Sequence, residues 1–402
     1  MTLQLSQRAC NTLPSPIRRL SHLAKQAKAA GNKVYYLNIG QPDINSPEAF
    51  LEGLRNYQSK VVAYEVSEGN RVLRESLASY FSRTLDVELV SSQFIITTGA
   101  SEALIFIFMI CCDPNDEIIV FDPTYANYMG FAALCGINLV SLMTKMENDF
   151  ALPPAEEICS RITPRTKAIL LCNPNNPTGT SYSRDELRML LNICEEHDIF
   201  LIVDETYREI LFDGLSPFSI FHLGVKNDHV IVVDSLSKRF SLCGSRIGCL
   251  ITSNQDVLAK SLSVAQARLA APTIEQFAAA YMLKHIPNDY VDGIRAEYEI
   301  RRNVLHEELL KLPGVSAFKP QGAFYTLAEL PVDDAESFAS FMLSKFSYEH
   351  ETVFVAPGTG FYMSTEEGRR RVRLACVLNP ADLRRAVTVL GYGLEEYRKL
   401  IS

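Results

Sequence analysis

Short apolar runs recur along the first two thirds of the chain, and stretches with helical spacing separate many of them. The runs are continuous rather than alternating, which is typical of parallel strands buried on both faces of a sheet. Alternation of such strands with helices predicts an α/β sheet with right-handed crossovers. The predicted strands are 94–97, 117–121, 138–143, 168–172, 199–203, 230–234 and 247–252, and helical patterns cover 101–112, 125–135 and 184–197.

The pattern changes after about residue 285. A long helix is predicted over 289–312, and mixed segments follow at 314–318, 323–330, 335–345, 352–355, 371–375 and 381–400. The predicted fold class is therefore α/β, with a mostly parallel sheet sandwiched by helices and a smaller α+β domain. We expect a large domain over 47–285, a small domain built from 14–46 and 286–402, and an N-terminal arm over 1–13.

Composition and charge exclude several classes of protein. The net charge of −8 and the lack of a basic stripe argue against a nucleic-acid partner. The longest apolar run, 103–112, is too short to span a bilayer, and the polar first residues do not resemble a signal peptide. The ten cysteines are scattered without a Cys-x-x-Cys pair, which favours reduced thiols in a cytoplasmic protein and no metal site.

The first candidate for chemistry is Lys238, which closely follows the predicted strand 230–234. Ligands of α/β sheets bind at the carboxyl ends of the strands. The lysine amine can condense with an aldehyde, while Ser235, Ser237 and Arg246 can hold an anion beside it. Taken alone, the segment is equally compatible with a polar loop that carries a surface lysine.

Asp204 ends another apolar strand and is predicted to lie beside Lys238. A buried carboxylate needs a cationic partner, and a protonated pyridine nitrogen would supply one. Tyr207, one helical turn further on, and Asn176, in the turn after strand 168–172, can both donate to a phenolate oxygen on the same ring. The alternative for Asp204 is a helix N-cap.

Two further segments fit a flat, phosphorylated ligand. Ala100 and Ser101 open a helix after Gly99, and the free N–H groups at such a helix start favour phosphate. Tyr125 follows the strand 117–121 and can stack on a planar ring. The alternatives are a plain helix cap for the first segment and a core or rim tyrosine for the second.

Arg373 stands inside the predicted strand 371–375, where its guanidinium would need a carboxylate. Its planar fork suits the α-carboxylate of a substrate, and Gly40 allows the backbone to approach the same group closely. The alternative for Arg373 is a structural salt bridge.

Taken in order, these motifs resemble those of the class I and II aminotransferases of fold type I, from Pro14 to the C-terminal helix. The shared motifs include Asn-Pro-Thr-Gly around Asn176, Ser-x-Ser-Lys before Lys238, Gly-x-Arg-x-Gly around Arg246 and Val-Arg-Leu around Arg373. The resemblance implies that pyridoxal 5'-phosphate is held as a Schiff base on Lys238. It also implies that Tyr64 reaches the phosphate site of a neighbouring subunit in a homodimer. For the remaining residues it implies the roles given above: ring contacts for Asp204, Asn176, Tyr207 and Tyr125, phosphate binding for Ala100, Ser101, Ser235, Ser237 and Arg246, and α-carboxylate binding for Gly40 and Arg373.

The implied reaction moves an amino group from an L-amino acid to a 2-oxo acid by ping-pong chemistry, with an acidic amino acid and 2-oxoglutarate as the expected pair. Some relatives read the distal carboxylate with a lysine where this chain has Ser101. Arg268 is an alternative binder of the distal carboxylate, although an arginine in such a segment more often has a packing role. Arg239 has no role that the sequence explains. Competing functions are a lyase, a synthase or an amino acid oxidase on the same cofactor. A regulator is the less favoured alternative, because the chain before Pro14 is too short for a helix-turn-helix module.

Overall fold

The computed structural model describes residues 3–12 and 14–401. Its helices are α1 (Gln7–Asn11), α2 (Ser21–Ala29), α3 (Glu48–Arg55), α4 (Arg71–Leu85), α5 (Ala100–Cys111), α6 (Ala126–Cys135), α7 (Ala155–Cys159), α8 (Arg184–Glu196), α9 (Gln255–Arg268), α10 (Thr273–His285), α11 (Tyr290–Leu310), α12 (Ala335–Ser344) and α13 (Pro380–Ile401). None of the helices in this described part of the chain has the length and apolar character needed to cross a membrane.

The strands follow the same chain order. They are β1 (Lys33–Tyr36), β2 (Phe94–Thr97), β3 (Glu117–Asp122), β4 (Asn138–Met143), β5 (Thr166–Cys172), β6 (Phe200–Asp204), β7 (Val230–Ser235), β8 (Gly248–Ile251), β9 (Ser316–Ala317), β10 (Tyr325–Glu329), β11 (Glu351–Phe354), β12 (Ala356–Pro357) and β13 (Arg371–Ala375).

Helix ends follow local capping chemistry. Helix α8 begins after Ser183, whose hydroxyl accepts from the Glu186 backbone N–H, while the Glu186 carboxylate accepts from the Ser183 N–H at 2.8 Å. This reciprocal capping box satisfies two N–H groups that the helix cannot pair internally. Helix α6 ends at Gly136, which adopts a positive φ of 76° that glycine tolerates without strain.

The main sheet has the strand order β2-β8-β7-β6-β5-β3-β4. Strands β3 to β7 pair in parallel, whereas β8 runs antiparallel to both of its neighbours, β7 and β2. The predicted α/β architecture with a mostly parallel sheet is therefore confirmed. The sequence did not predict the reversed strand, because its apolar run resembles those of the parallel strands.

The inner strands of this sheet are buried on both faces, which explains why they are largely apolar. In β3, Ile118 and Val120 belong to one hydrophobic core, whereas Ile119 and Phe121 belong to the other. Side chains alternate between the faces of a strand, so a sheet covered by helices on both sides favours apolar residues on both faces of its inner strands.

Smaller sheets form beside the main one. Strand β10 pairs antiparallel with β9 and β13, and β12 adds to the other edge of β13. Strand β1 pairs in parallel with β11, which joins part of the N-terminal segment to the C-terminal part of the chain. This pairing agrees with the expected grouping of 14–46 with 286–402, but the division into domains stays a prediction.

Candidate active site

A cavity of 590 Å³ lies at the carboxyl edge of the main sheet. In-register pairing places Asp204 beside Cys172 and Val233, so the ends of β5, β6 and β7 meet at this edge. The predicted site residues converge here although they are far apart in sequence. Those that line the cavity are Gly40, Ala100, Ser101, Tyr125, Asn176, Asp204, Tyr207, Ser235, Ser237, Lys238, Arg246 and Arg373.

Tyr64 is the predicted site residue that does not line the cavity. It lies in the irregular segment between α3 and α4, and its side chain is 82% exposed. Val61, Val62 and Val66 in the same segment are also exposed. The structure therefore leaves this segment available for contact with another chain.

Lys238 extends from the loop after β7 into the cavity. Its Nζ donates to the carbonyl oxygen of Gly40 at 2.9 Å and lies 3.9 Å from the Sγ of Cys243. The rings of Tyr207 and Phe324 lie 5.8 and 5.7 Å from the same nitrogen. Because its polar neighbours among the described residues are a carbonyl and a thiol, no ion pair holds the amine there, and it is available for covalent chemistry.

Asp204 is buried at the end of β6. One carboxylate oxygen accepts from the Tyr128 hydroxyl at 2.8 Å, and the other accepts from the Thr206 backbone N–H at 3.1 Å. Burial raises the pKa of Asp204, and the hydrogen bonds from Thr206 and Tyr128 oppose this change. Within residues 3–12 and 14–401 the carboxylate thus has neutral donors but no cationic partner, an arrangement that favours a cation in the adjoining cavity.

Tyrosine side chains form one wall of the cavity. The hydroxyls of Tyr207 and Tyr325 are 3.0 Å apart, and burial raises the pKa of Tyr207. A Cβ atom added at Gly40 would overlap the Tyr325 hydroxyl, so only glycine fits there. Tyr125 packs edge-on against Tyr128, with ring centroids 5.3 Å apart.

Tyr128 and Tyr325 were not predicted from the sequence as site residues. Tyr128 lies three residues after Tyr125, and that helical spacing is the one signal that links it to the site. Tyr325 is brought to the cavity by β10, far along the chain, and no local pattern marks it.

An anion cradle forms where α5 begins. Gly99 has a positive φ of 78°, and the Arg246 guanidinium packs where a side chain of residue 99 would lie. Arg246 donates to the carbonyls of Cys243 at 2.9 Å and Thr98 at 3.2 Å, and no carboxylate of the described residues pairs with it. The hydroxyls of Ser235 and Ser237, 2.7 Å apart, complete a cluster suited to a phosphate group.

Arg373 is fully buried in β13. It donates to the Asn176 side-chain oxygen at 3.0 Å and to the Asn38 carbonyl at 2.5 Å, while its Nε has no hydrogen-bond partner in the part of the chain that the structure describes. The guanidinium lies 4.3 Å from the centre of the Tyr325 ring. A buried cation with neutral partners and a free donor fits a carboxylate ligand, so the alternative of a structural salt bridge is not supported.

The two arginines that the sequence left open lie elsewhere. Arg239 points away from Lys238 into a buried ion cluster, where it binds both oxygens of Asp234 at 2.8 and 2.9 Å. Arg268 pairs with Glu102 of its own chain at 2.8 Å, which favours the packing role over a role in reading substrate.

The sheet topology and the position of the cavity define an α/β enzyme with the architecture of pyridoxal-phosphate fold type I. The family model for aminotransferase class I and II matches residues 32–390, and the chain therefore belongs to this family. It is an aminotransferase, and its family is one that uses pyridoxal phosphate.

Relatives cover nearly the whole chain. The aspartate aminotransferase of Bacillus subtilis is 31% identical over 368 residues, which is 89% of this chain and 92% of that protein. The aspartate/prephenate aminotransferase of Thermus thermophilus is 32% identical over 394 residues, or 94% and 99% of the two chains. Among solved structures, an alanine aminotransferase from Pyrococcus furiosus is 31% identical with a TM-score of 0.89, covering 98% of this chain and 100% of that one. The Thermus thermophilus aspartate aminotransferase with maleate is 30% identical with a TM-score of 0.88 over the same shares.

Proposed function

We propose that the cavity holds pyridoxal 5'-phosphate on Lys238 and transfers the amino group of an L-amino acid to a 2-oxo acid. One observation carries the proposal: two buried, uncompensated charges lie in the same cavity. Among the described residues, Asp204 has only neutral donors and Arg373 only neutral acceptors. A cofactor with a cationic ring nitrogen and a substrate with a carboxylate would complete both sites.

Each part of the cofactor has residues that fit it. In this proposal Asp204 pairs with the ring nitrogen, Tyr207 and Asn176 donate to the phenolate oxygen, and Tyr125 covers one face of the ring. The cradle residues bind the phosphate; they are Ala100, Ser101, Ser235, Ser237 and Arg246. When bound, the cofactor supplies an electron sink for the pair of electrons left by breakage of the substrate Cα–H bond.

The chain's own residues then orient the substrate and move the proton. Arg373 and the backbone at Gly40 hold the α-carboxylate. Once the substrate amine has taken its place on the cofactor, the Lys238 amine is free; Nζ lies 2.9 Å from the Gly40 carbonyl, next to this carboxylate site, and would act as the base that takes the proton from Cα. In this proposal Asp204 pairs with the ring nitrogen as a carboxylate, because a neutral side chain there would not hold a proton on that nitrogen.

We also propose that the active unit is a homodimer in the cytoplasm. The exposed segment around Tyr64 supports the dimer, because its apolar side chains would be buried against a partner and Tyr64 would reach the partner's phosphate cradle. The ten cysteines are all free thiols, which supports a reducing compartment.

For the substrates, we propose aspartate as the amino donor and 2-oxoglutarate as the acceptor. The relatives named aspartate aminotransferase, from Bacillus subtilis and Thermus thermophilus, support aspartate as a substrate. Ser101 stands where some relatives carry a lysine for the distal carboxylate, so this chain needs a different cation for that group.

A donor-only experiment tests the proposed reaction. Holoenzyme mixed with aspartate and no acceptor should release one burst of 2-oxo acid that matches the number of active sites and then stop. Addition of 2-oxoglutarate should restart turnover, since the second half-reaction regenerates the cofactor. Continuous product formation without an acceptor would contradict transamination and favour a lyase or an oxidase. Lys238→Ala should give neither the burst nor the turnover.

A further inference from the structure

The charged residues that line the cavity are Arg18, Asp204, Lys238, Arg246 and Arg373. The proposed function uses Asp204, Lys238, Arg246 and Arg373 for the ring nitrogen, the aldehyde, the phosphate and the α-carboxylate. Arg18 remains without a role. A cation in the wall of a cavity attracts anionic groups. Since Arg246 and Arg373 already serve the phosphate and the α-carboxylate, Arg18 is available for a further negative group of the ligand.

The Arg18 guanidinium has no ion pair or side-chain hydrogen bond within residues 3–12 and 14–401. Its neighbour Arg19 differs, because it pairs with Glu336 outside the cavity. Five N–H donors of Arg18 are thus free to bind a ligand. Arg19 therefore has an ion-pair partner that explains it structurally, whereas Arg18 has none among the described residues.

The backbone that carries Arg18 is fixed to the substrate site. The side-chain amide of Asn38 donates to the Ile17 carbonyl at 3.0 Å, and the Asn38 carbonyl accepts from Arg373 at 2.5 Å. Pro16 packs against Gly360 so closely that a side chain at residue 360 would overlap it. Asn38 therefore fixes the backbone next to Arg18 and also contacts the proposed α-carboxylate binder, while the Arg18 side chain itself is exposed at the cavity wall.

We propose that Arg18 determines specificity by binding the distal carboxylate of dicarboxylic amino acids and 2-oxo acids. The inference rests on the proposed function, since Arg373 must take the α-carboxylate for a second carboxylate to remain. Guanidinium and carboxylate groups form paired, charge-assisted hydrogen bonds, and the substrate itself excludes water from the pair as it binds. Arg18 thereby supplies the cation for the distal carboxylate, which the serine at position 101 cannot supply.

The test compares Arg18→Ala and Arg18→Lys with a matched control, Arg19→Ala. For Arg18→Ala, kcat/KM for aspartate should fall by about tenfold or more, the loss expected for one charge-assisted pair. The loss for alanine should be far smaller, and Arg18→Lys should recover part of the aspartate activity. Arg19→Ala should leave the aspartate-to-alanine ratio unchanged, because its partner lies outside the cavity.

A binding measurement separates recognition from turnover. Calorimetric titration of holoenzyme with maleate, a dicarboxylate, and isocrotonate, which has a methyl group in place of one carboxylate, should show that Arg18→Ala weakens maleate binding selectively. Equal weakening of both ligands, or no weakening of either, would overturn the inference. Circular dichroism of each variant checks the fold. If Arg18→Ala is misfolded, the ratio of kcat/KM for aspartate to that for alanine, measured on Arg18→Lys, decides whether the inference holds. Absence of amino transfer in the wild-type enzyme would instead overturn the proposed function.

Discussion

Arg239 offers a direct test of the buried ion cluster beside the proposed cofactor lysine. Its guanidinium is 1% exposed, binds both oxygens of Asp234 and lies 3.3 Å from Glu209. Arg208 is the other cation of the cluster, and it also pairs with Glu205. Arg239→Ala would leave the Arg208 guanidinium alone with three buried carboxylates. Removal of one partner from a buried ion pair costs about 3–5 kcal/mol, so the free energy of unfolding should fall by about that amount.

The assay is urea unfolding of the variant and the wild type without cofactor, followed by circular dichroism because the chain has no tryptophan. The exposed pair Arg71–Glu75, with side chains 81% and 48% exposed, supplies the control. Arg71→Ala should change the free energy of unfolding by no more than about 0.5 kcal/mol. If Arg239→Ala lowered the free energy of unfolding as little as the control does, the buried ion cluster would not stabilise the fold as described.

The same cluster predicts a pH dependence. Burial raises the pKa of Asp234, but the guanidiniums of Arg239 and Arg208 outweigh this effect and hold the pKa below its usual value. The resulting stability is fully present above the unfolded pKa of about 3.9 and is lost as the pH falls through the lower folded pKa. The difference in unfolding free energy between wild type and Arg239→Ala should therefore narrow as the pH falls below about 3.9. A constant difference would contradict this assignment.

Three further substitutions test the cavity. Asp204→Asn should lower kcat by about a hundredfold or more, since the ring nitrogen would lose its ion pair; retention of most activity in steady-state assays would contradict the proposed role. Tyr128→Phe removes the hydrogen bond to Asp204 at 2.8 Å and should lower kcat by about tenfold, with an unchanged circular dichroism spectrum. Gly40→Ala places a methyl group into the Tyr325 hydroxyl, so kcat/KM should fall for every amino donor. A selective loss for one donor would argue against a role at the shared α-carboxylate.

Much of the site was predictable because its residues follow apolar strands. Strands that are parallel end at one edge of a sheet, so Asn176, Asp204 and Lys238 had to converge once their strands were recognised. Arg373 was predictable from its charge, since a guanidinium inside a strand needs an anion.

Other features depend on tertiary packing that no local pattern reveals. The sequence places Lys238 and Arg239 side by side, but the fold directs one into the cavity and the other into the ion cluster. Helix α10 escaped prediction because Gln276, Ala278, Ala279 and Ala280 are all buried, so it shows no single apolar stripe. The antiparallel direction of β8 likewise depends on its neighbours in the sheet.

The most direct measurement is the position of the cofactor on the chain. Holoenzyme treated with borohydride, which reduces a Schiff base to a stable bond, should be digested and analysed by mass spectrometry. We expect the added mass of the cofactor on the peptide that contains Lys238, and no such adduct in Lys238→Ala. An adduct on a different lysine, or none in wild-type protein saturated with pyridoxal phosphate, would contradict it.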